Sequence, residues 1–161
     1  NPIEQEGTYP LPEAQADRFL LKIRLGYPNP DEELEIVNRF TGERGPSKVK
    51  VMLTKKHIMS LQEMTKKVPI ASDIKKKAVN LIQKTRQKTD LIQYGASPRA
   101  SIGLVMAAKA RAMIEGRNHV SSEDIATMAL PVLRHRIILN FEAERKGMST
   151  DDAITELLKG K

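Results

Sequence analysis

Two arginines stand where the local sequence could set a guanidinium to work. Ser97-Pro98-Arg99 puts Arg99 in the first turn of a helix predicted over residues 100–115. Free backbone N–H groups and the helix dipole already favour an anion there. A cation at that position opposes the dipole unless an anion compensates it. Arg99 therefore reads as a phosphate contact or as the partner of a carboxylate on an adjacent helix. Arg18, in Asp17-Arg18-Phe19, sits at a predicted helix-to-strand junction. A guanidinium on so rigid a mount suits a finger reaching into a neighbour's phosphate site. The plainer alternative is a surface arginine paired with Asp17 or Glu13.

Other chemistries find little support. His57, His119 and His135 lie far apart with no metal-ligand spacing, and the chain has no cysteine, so thiolate metal sites and a cysteine nucleophile are excluded. No nucleophile elbow occurs, and neither the G-x-x-x-x-G-K-[ST] nor the G-x-G-x-x-G phosphate loop appears. By itself the chain shows no catalytic centre. The net charge of +7 gathers in Lys48, Lys50, Lys55, Lys56, Lys66, Lys67, Lys75, Lys76, Lys77, Lys84, Arg86 and Lys88. Nucleic-acid surfaces of this kind usually interleave aromatics, and none lies between Phe40 and Tyr94. Lysines on solvated helix faces are the simpler account. An independent basic helical module for nucleic acid or an acidic partner is the alternative.

The elements that would carry these residues are mostly helical. With 4% aromatics and no Trp, the core must be built from Leu, Ile, Val, Met and Ala, which favours helix on helix. Residues 13–17 follow Pro12 as a short helix. In residues 19–25, Leu21, Ile23 and Leu25 alternate with Lys22 and Arg24, as in a half-buried strand. Asn29-Pro30-Asp31-Glu32 then starts a helix with a capping box, whose apolar side is Leu34, Ile36, Val37 and Phe40. A weak extended segment covers Val49, Val51 and Leu53. Thr54 and Ser72 are read as caps of two further helices. Gly116 is a C-terminal cap, Val120 staples onto Ile125 across the cap at Ser121, and Pro131 kinks or interrupts the helix that follows. A last helix starts near Ser149. The sum is five or six helices and one strand. A lone strand leaves its backbone groups open. Its partners must come from the lid folding back, through Val49 to Leu53, or from a second copy by strand pairing or exchange of the N-terminal arm. The abrupt turn at Tyr27-Pro28 favours the second copy.

Residues 1–19, from Asn1-Pro2-Ile3-Glu4 through Asp17-Arg18-Phe19, closely resemble the second half of the AAA+ core of the MoxR family. So do Gly95-Ala96-Ser97-Pro98-Arg99-Ala100, Gly116-Arg117, Ser122-Glu123-Asp124-Ile125 and Val132-Leu133-Arg134-His135-Arg136. The resemblance runs over nearly the whole chain. It implies a mainly α fold: residues 1–28 as the remnant of an α/β nucleotide domain, and residues 29–161 as the helical lid.

The resemblance also implies roles. Asn1 matches the sensor-1 residue that positions the attacking water. Arg18 matches the arginine finger supplied to the adjacent subunit. Arg99 matches the sensor-2 arginine that reads the terminal phosphate. The full-length protein would bind ATP and Mg²⁺ and hydrolyse ATP within a homo-oligomeric ring, a hexamer. It would act as a chaperone-like remodeler, with von Willebrand factor A domain clients or metal insertion as the family's themes. The phosphate-binding loop and the Mg²⁺-holding strand are expected upstream of Asn1, so the 161 residues alone should bind no nucleotide tightly and show no hydrolysis. No bilayer-length apolar stretch and no signal peptide is seen, and a cytoplasmic location is the default.

Overall fold

In a computed structural model, residues 11–42, 49–88 and 90–160 are described. They form eight helices, α1 (Glu13–Ala16), α2 (Pro30–Thr41), α3 (Lys55–Lys67), α4 (Ser72–Gln87), α5 (Pro98–Ile114), α6 (Ser122–Leu133), α7 (Phe141–Arg145) and α8 (Thr150–Lys159), and two short strands, β1 (Ile92–Tyr94) and β2 (Ile138–Leu139). The mainly α class is as expected. The helix count is higher: the short stretch expected over 13–17 is α1, and α7 is a single turn too short to show a period. The chain divides into two compact units. One joins the segment ending at Lys22 with Glu63–Lys161, and the other is Ile23–Gln62.

The larger unit is built around α5. Its small residues Ala100, Gly103, Ala107, Ala108 and Ala112 are buried together with Leu104, and α4 and α6 pack against it. Alanines on several sides let neighbouring helices approach closely, and α8 closes the layer against α4 and α6. Ile82, Leu104, Val132, Leu133 and Ile154 are the large apolar side chains at the centre. Every described aromatic residue is exposed, so the core is aliphatic as its composition requires.

Local signals set most helix ends. Ser121 and Ser149 form capping boxes with Asp124 and Asp152. Val120 and Ile125 flank the first of these boxes and are both buried. Gly116, at φ 70°, closes α5 with a Schellman pair, Arg117 N to Ala112 O at 2.8 Å and Gly116 N to Met113 O at 3.0 Å. Ser72 is the first residue of α4 and not its cap; Ala71 holds the cap position without a side-chain bond. Pro131 does not interrupt α6, which runs on to Leu133. In the smaller unit, Asn29 and Glu32 make the expected box at 2.9 Å each way. No residue of α2 is buried. Thr54 caps α3, accepting from His57 N at 3.3 Å.

The strand expected over residues 19–25 does not form, and Val49, Val51 and Leu53 belong to no strand. Among the described residues the ladder joins β1 to β2 antiparallel, with Ile92 opposite Leu139 and Tyr94 opposite Ile138. The backbone of residues 17–22 finds other partners. Lys22 N donates to Pro131 O at 2.8 Å, and side chains of Arg134, His135 and Arg136 take the carbonyls of Asp17, Phe19, Leu20 and Lys22. Side-chain donors of the same chain thus do for this stretch what a ladder would have done. The second copy expected to satisfy it is not needed for these groups.

Candidate functional site

The site forms where the turn after α1 meets the N-terminus of α5 and the C-terminus of α6. The loop into α5 is fastened first. Thr85 Oγ accepts from Ala96 N at 3.0 Å, and Arg86 Nε donates to Ala96 O at 2.8 Å. Gly95 passes so close to α4 that an added Cβ would lie 2.6 Å from Thr85 O and 2.7 Å from Arg86 N, so any larger residue would displace backbone. Ser97 then caps α5, accepting from Arg99 N at 3.2 Å.

Asp17 is the hub. Ser97 Oγ lies 3.1 and 3.0 Å from its two carboxylate oxygens, and the single hydroxyl proton serves one of them at a time. Arg99 Nη1 reaches Oδ2 at 3.1 Å, and Arg136 Nε reaches Oδ1 at 3.1 Å. The Arg99 side chain remains 56% exposed, whereas that of Arg136 is 1% exposed. Beside them opens a cleft of about 230 Å³ whose walls include Glu13, Asp17, Tyr94, Ser97, His135 and Arg136. Burial pushes the Arg136 guanidinium below its usual range, and the Asp17 carboxylate opposes that shift. An arginine starts so high that it stays charged.

Arg18 follows Asp17 directly. Its N–H bonds Gln15 O at 3.2 Å, and its exposed side chain pairs with no described residue. The alternative, a surface pair with Asp17 or Glu13, is absent among the described residues, and Asp17 is engaged by Ser97, Arg99 and Arg136. Arg18 is thus the chain neighbour of the residue whose carboxylate holds Arg99. For Arg99 the structure shows a carboxylate partner, an arginine in the first turn of a helix whose compensating anion is Asp17 from another element. Asn1 lies outside the described residues. Asp17, His135 and Arg136 escaped the sequence reading as site residues. The run Arg134-His135-Arg136 directly after an apolar helix was their one visible signal.

His135 adds a pH-sensitive element. Its Nε2 lies 2.8 Å from Phe19 O, which can only accept, so Nε2 carries the proton. Nδ1 is buried with no hydrogen-bond partner among the described residues. Burial first, and then the Arg136 and Lys22 charges, hold the imidazole below its usual range, while the bond to Phe19 O opposes this. A histidine whose native pKa is depressed withdraws stability as pH falls. Between the two values the unfolded chain binds a proton that the native chain does not. The melting temperature should therefore decline as pH drops from about 7 to 5, through the ordinary histidine range. In His135→Gln, which keeps a donor for Phe19 O and does not titrate, that component should vanish. An unchanged pH profile in the variant would assign the effect elsewhere.

A second charged cluster is structural. Asp124 is fully buried and accepts from Arg111, from Arg117 Nη1 at 2.7 Å, and from Ser121 N and Oγ at 2.8 and 3.0 Å. The Arg117 hydrogen bond above all holds its carboxyl well below the usual range. Several basic residues of the lysine-rich region are likewise tied to the fold, Lys77 to Ser122 Oγ at 3.0 Å and Lys88 to Glu156 at 2.7 Å. Among the described residues no acidic or histidine cluster could hold a metal, and no helix is long and apolar enough to cross a membrane.

This architecture has known counterparts. Residues 83–157 match the AAA lid domain, and residues 1–21 match the ATPase family associated with various cellular activities (AAA). A crystal structure from Cytophaga hutchinsonii, described as that of a "putative ATPase", superposes with a TM-score of 0.90 at 41% identity, covering 99% of this chain and 51% of that one. The class is thus that of an AAA+ helical lid with an adjoining piece of the AAA module. Among curated proteins, YeaC of Bacillus subtilis is 39% identical over 98% of this chain and 49% of its own length, and the chaperone MoxR1 of Mycobacterium tuberculosis is 38% identical over 99% and 44%. The chain belongs to the MoxR-type AAA+ ATPases. It spans about half the length of the curated relatives it matches.

Proposed function

We propose that the full-length protein is an ATP-hydrolysing, chaperone-like remodeler, in which residues 1–28 end the nucleotide domain and residues 29–161 form the lid. Arg99 reads the terminal phosphate from the lid, Arg18 reaches the nucleotide of the adjacent subunit in a homo-oligomeric ring, and Asn1 orients the attacking water. The observation that carries this reading is the state of Arg99, a half-exposed guanidinium at a helix N-terminus held by one carboxylate contact at 3.1 Å. An exposed pair of this kind is weak, so a phosphate oxygen can take the place of Asp17 Oδ2. Arg18, exposed and without a described partner, is available for the same chemistry. These residues fit the trigger side of a nucleotide site. The phosphate cradle and the Mg²⁺ ligands are read as belonging to the remainder of the protein.

Bound ATP with Mg²⁺ supplies the transferable phosphoryl group. The part played by this chain is to place two guanidinium charges where negative charge develops, and Ser97 fixes the backbone at the root of the first through its bond to Arg99 N. A cytoplasmic location, a hexameric ring and a von Willebrand factor A domain client belong to the same proposal. Arg99→Ala in the full-length enzyme should lower ATP turnover by about 10²-fold, in line with loss of one preorganised charge-stabilising donor. The lid should keep its helical circular dichroism. Wild-type turnover in that variant would overturn the assignment of Arg99.

A further inference from the structure

Arg136 stands apart from the other arginines in how completely it is used. A guanidinium has five N–H donors in a planar fork, and here five acceptors meet them. Nε donates to Asp17 Oδ1 at 3.1 Å; Nη1 donates to Val132 O at 2.6 Å and Leu20 O at 3.2 Å; Nη2 donates to Phe19 O at 2.6 Å and Asp17 O at 3.1 Å. The two carbonyls on Nη2 belong to the residues on either side of Arg18. Val132 O anchors the fork to α6.

We infer that Arg136 is a positioning residue that fixes the main chain at the root of Arg18. The inference rests on the reading of Arg18 as a finger given above. A side chain as long as arginine delivers its charge accurately only if its Cα is held, and Arg18 has no described side-chain contact to hold it. The clamp does so from behind, bonding residues 17, 19 and 20 while leaving the Arg18 side chain free. It does not depend on Arg99. If Arg99 leaves Asp17 Oδ2 for a phosphate, Oδ1 keeps Arg136 and Ser97. The space for this arrangement is provided by α5, where a Cβ on Gly103 would lie 3.3 Å from Leu20 Cδ1 and 3.7 Å from Arg136 Nη1.

Lysine keeps the charge of arginine but has three donors and no fork, so it cannot bond Asp17, Phe19, Leu20 and Val132 together. In the full-length enzyme, Arg136→Lys should lower kcat by roughly 10- to 10²-fold, the scale of a misplaced reacting group. The KM for ATP should stay within about twofold, since ground-state binding is not what is lost. In an Arg18→Ala background the same substitution should cost almost nothing further, because its effect passes through Arg18. A merely structural arginine would give equal losses in both backgrounds, and that result, or an unchanged kcat in Arg136→Lys, overturns the inference. If Arg136→Lys fails to fold, Gly103→Ala replaces it. It crowds Leu20, one of the residues the fork bonds, without unburying a charge, and should give a few-fold loss of kcat that disappears in the Arg18→Ala background. A Gly103→Ala enzyme with full kcat would then be the overturning result. The two readings fail differently. An Arg18→Ala enzyme that keeps its kcat sinks the finger assignment and this role with it, whereas loss in Arg18→Ala with none in Arg136→Lys sinks the role of Arg136 alone.

Discussion

Arg18→Ala in the full-length enzyme is expected to reduce ATP hydrolysis by about 10³-fold or more, the range that arginine fingers supply in related phosphoryl transfer. The expectation follows from the physical state of the side chain. It is exposed, it pairs with no described residue, and its main chain is bonded on both sides by a buried guanidinium. Removing such a group costs the fold little, because surface substitutions away from caps and cores rarely change stability by more than about 0.5 kcal/mol. Loss of turnover with an unchanged melting temperature is therefore the expected signature. Because a finger serves the neighbouring subunit, the loss should be relieved in mixed rings. Arg18→Ala subunits with intact nucleotide sites should regain turnover beside subunits that carry Arg18 but hydrolyse nothing themselves. If the defect instead stays with each variant subunit's own site, Arg18 is not a finger acting in trans.

The largest effect on stability is expected at Asp124. Its carboxylate is fully buried and serves three structures at once, the capping box of α6, the Arg111 side chain of α5 and the Arg117 side chain beyond the end of α5. Asp124→Ala leaves the Ser121 N–H without its acceptor and two guanidinium groups facing a space that held their counter-charge. Removing one partner of a buried pair typically costs about 3–5 kcal/mol. Both arginine side chains keep 20–31% exposure and can turn towards water, so the lower end, about 3 kcal/mol, applies. For a unit of this size that corresponds to a fall of roughly 10–20 °C in melting temperature. Asp124→Asn, which keeps an acceptor for Ser121 N, should lose less. A melting temperature within about 2 °C of wild type in Asp124→Ala would show that the cluster stabilises nothing. Because the native carboxyl is depressed, the contribution of Asp124 is complete above the ordinary aspartate range and is lost as pH falls below it.

How much of this was legible in the residues depended on the range of the interaction. The capping boxes at Asn29, Ser121 and Ser149, the glycine closing α5 and the aliphatic stripes are local chemistry, written within four residues of where they act. The all-round apolar character of α5 announced a central helix for the same reason. Failures came where a local pattern met a distant partner. Residues 19–25 carry the alternation of a strand, but alternation reports only which side chains want burial. A ladder needs a second strand, and among the described residues the backbone of 17–22 is taken by arginines more than a hundred positions away. The pair β1–β2, two and three residues long, is too short to leave any period.

The sequence by itself determined the helical class, the caps, the aliphatic core, the positions of Arg18 and Arg99 and the MoxR resemblance, because each depends on residue identity or near-neighbour spacing. Only the tertiary structure decided that Asp17 joins Arg99 to Arg136, that Arg136 spends four of its five donors on residues 17, 19 and 20 and the fifth on Val132, and that Asp124 is a buried ionic hub. Those facts depend on which buried donors and acceptors meet. A charged side chain taken from water must find partners in the folded chain wherever packing brings them, and sequence separation does not constrain that choice.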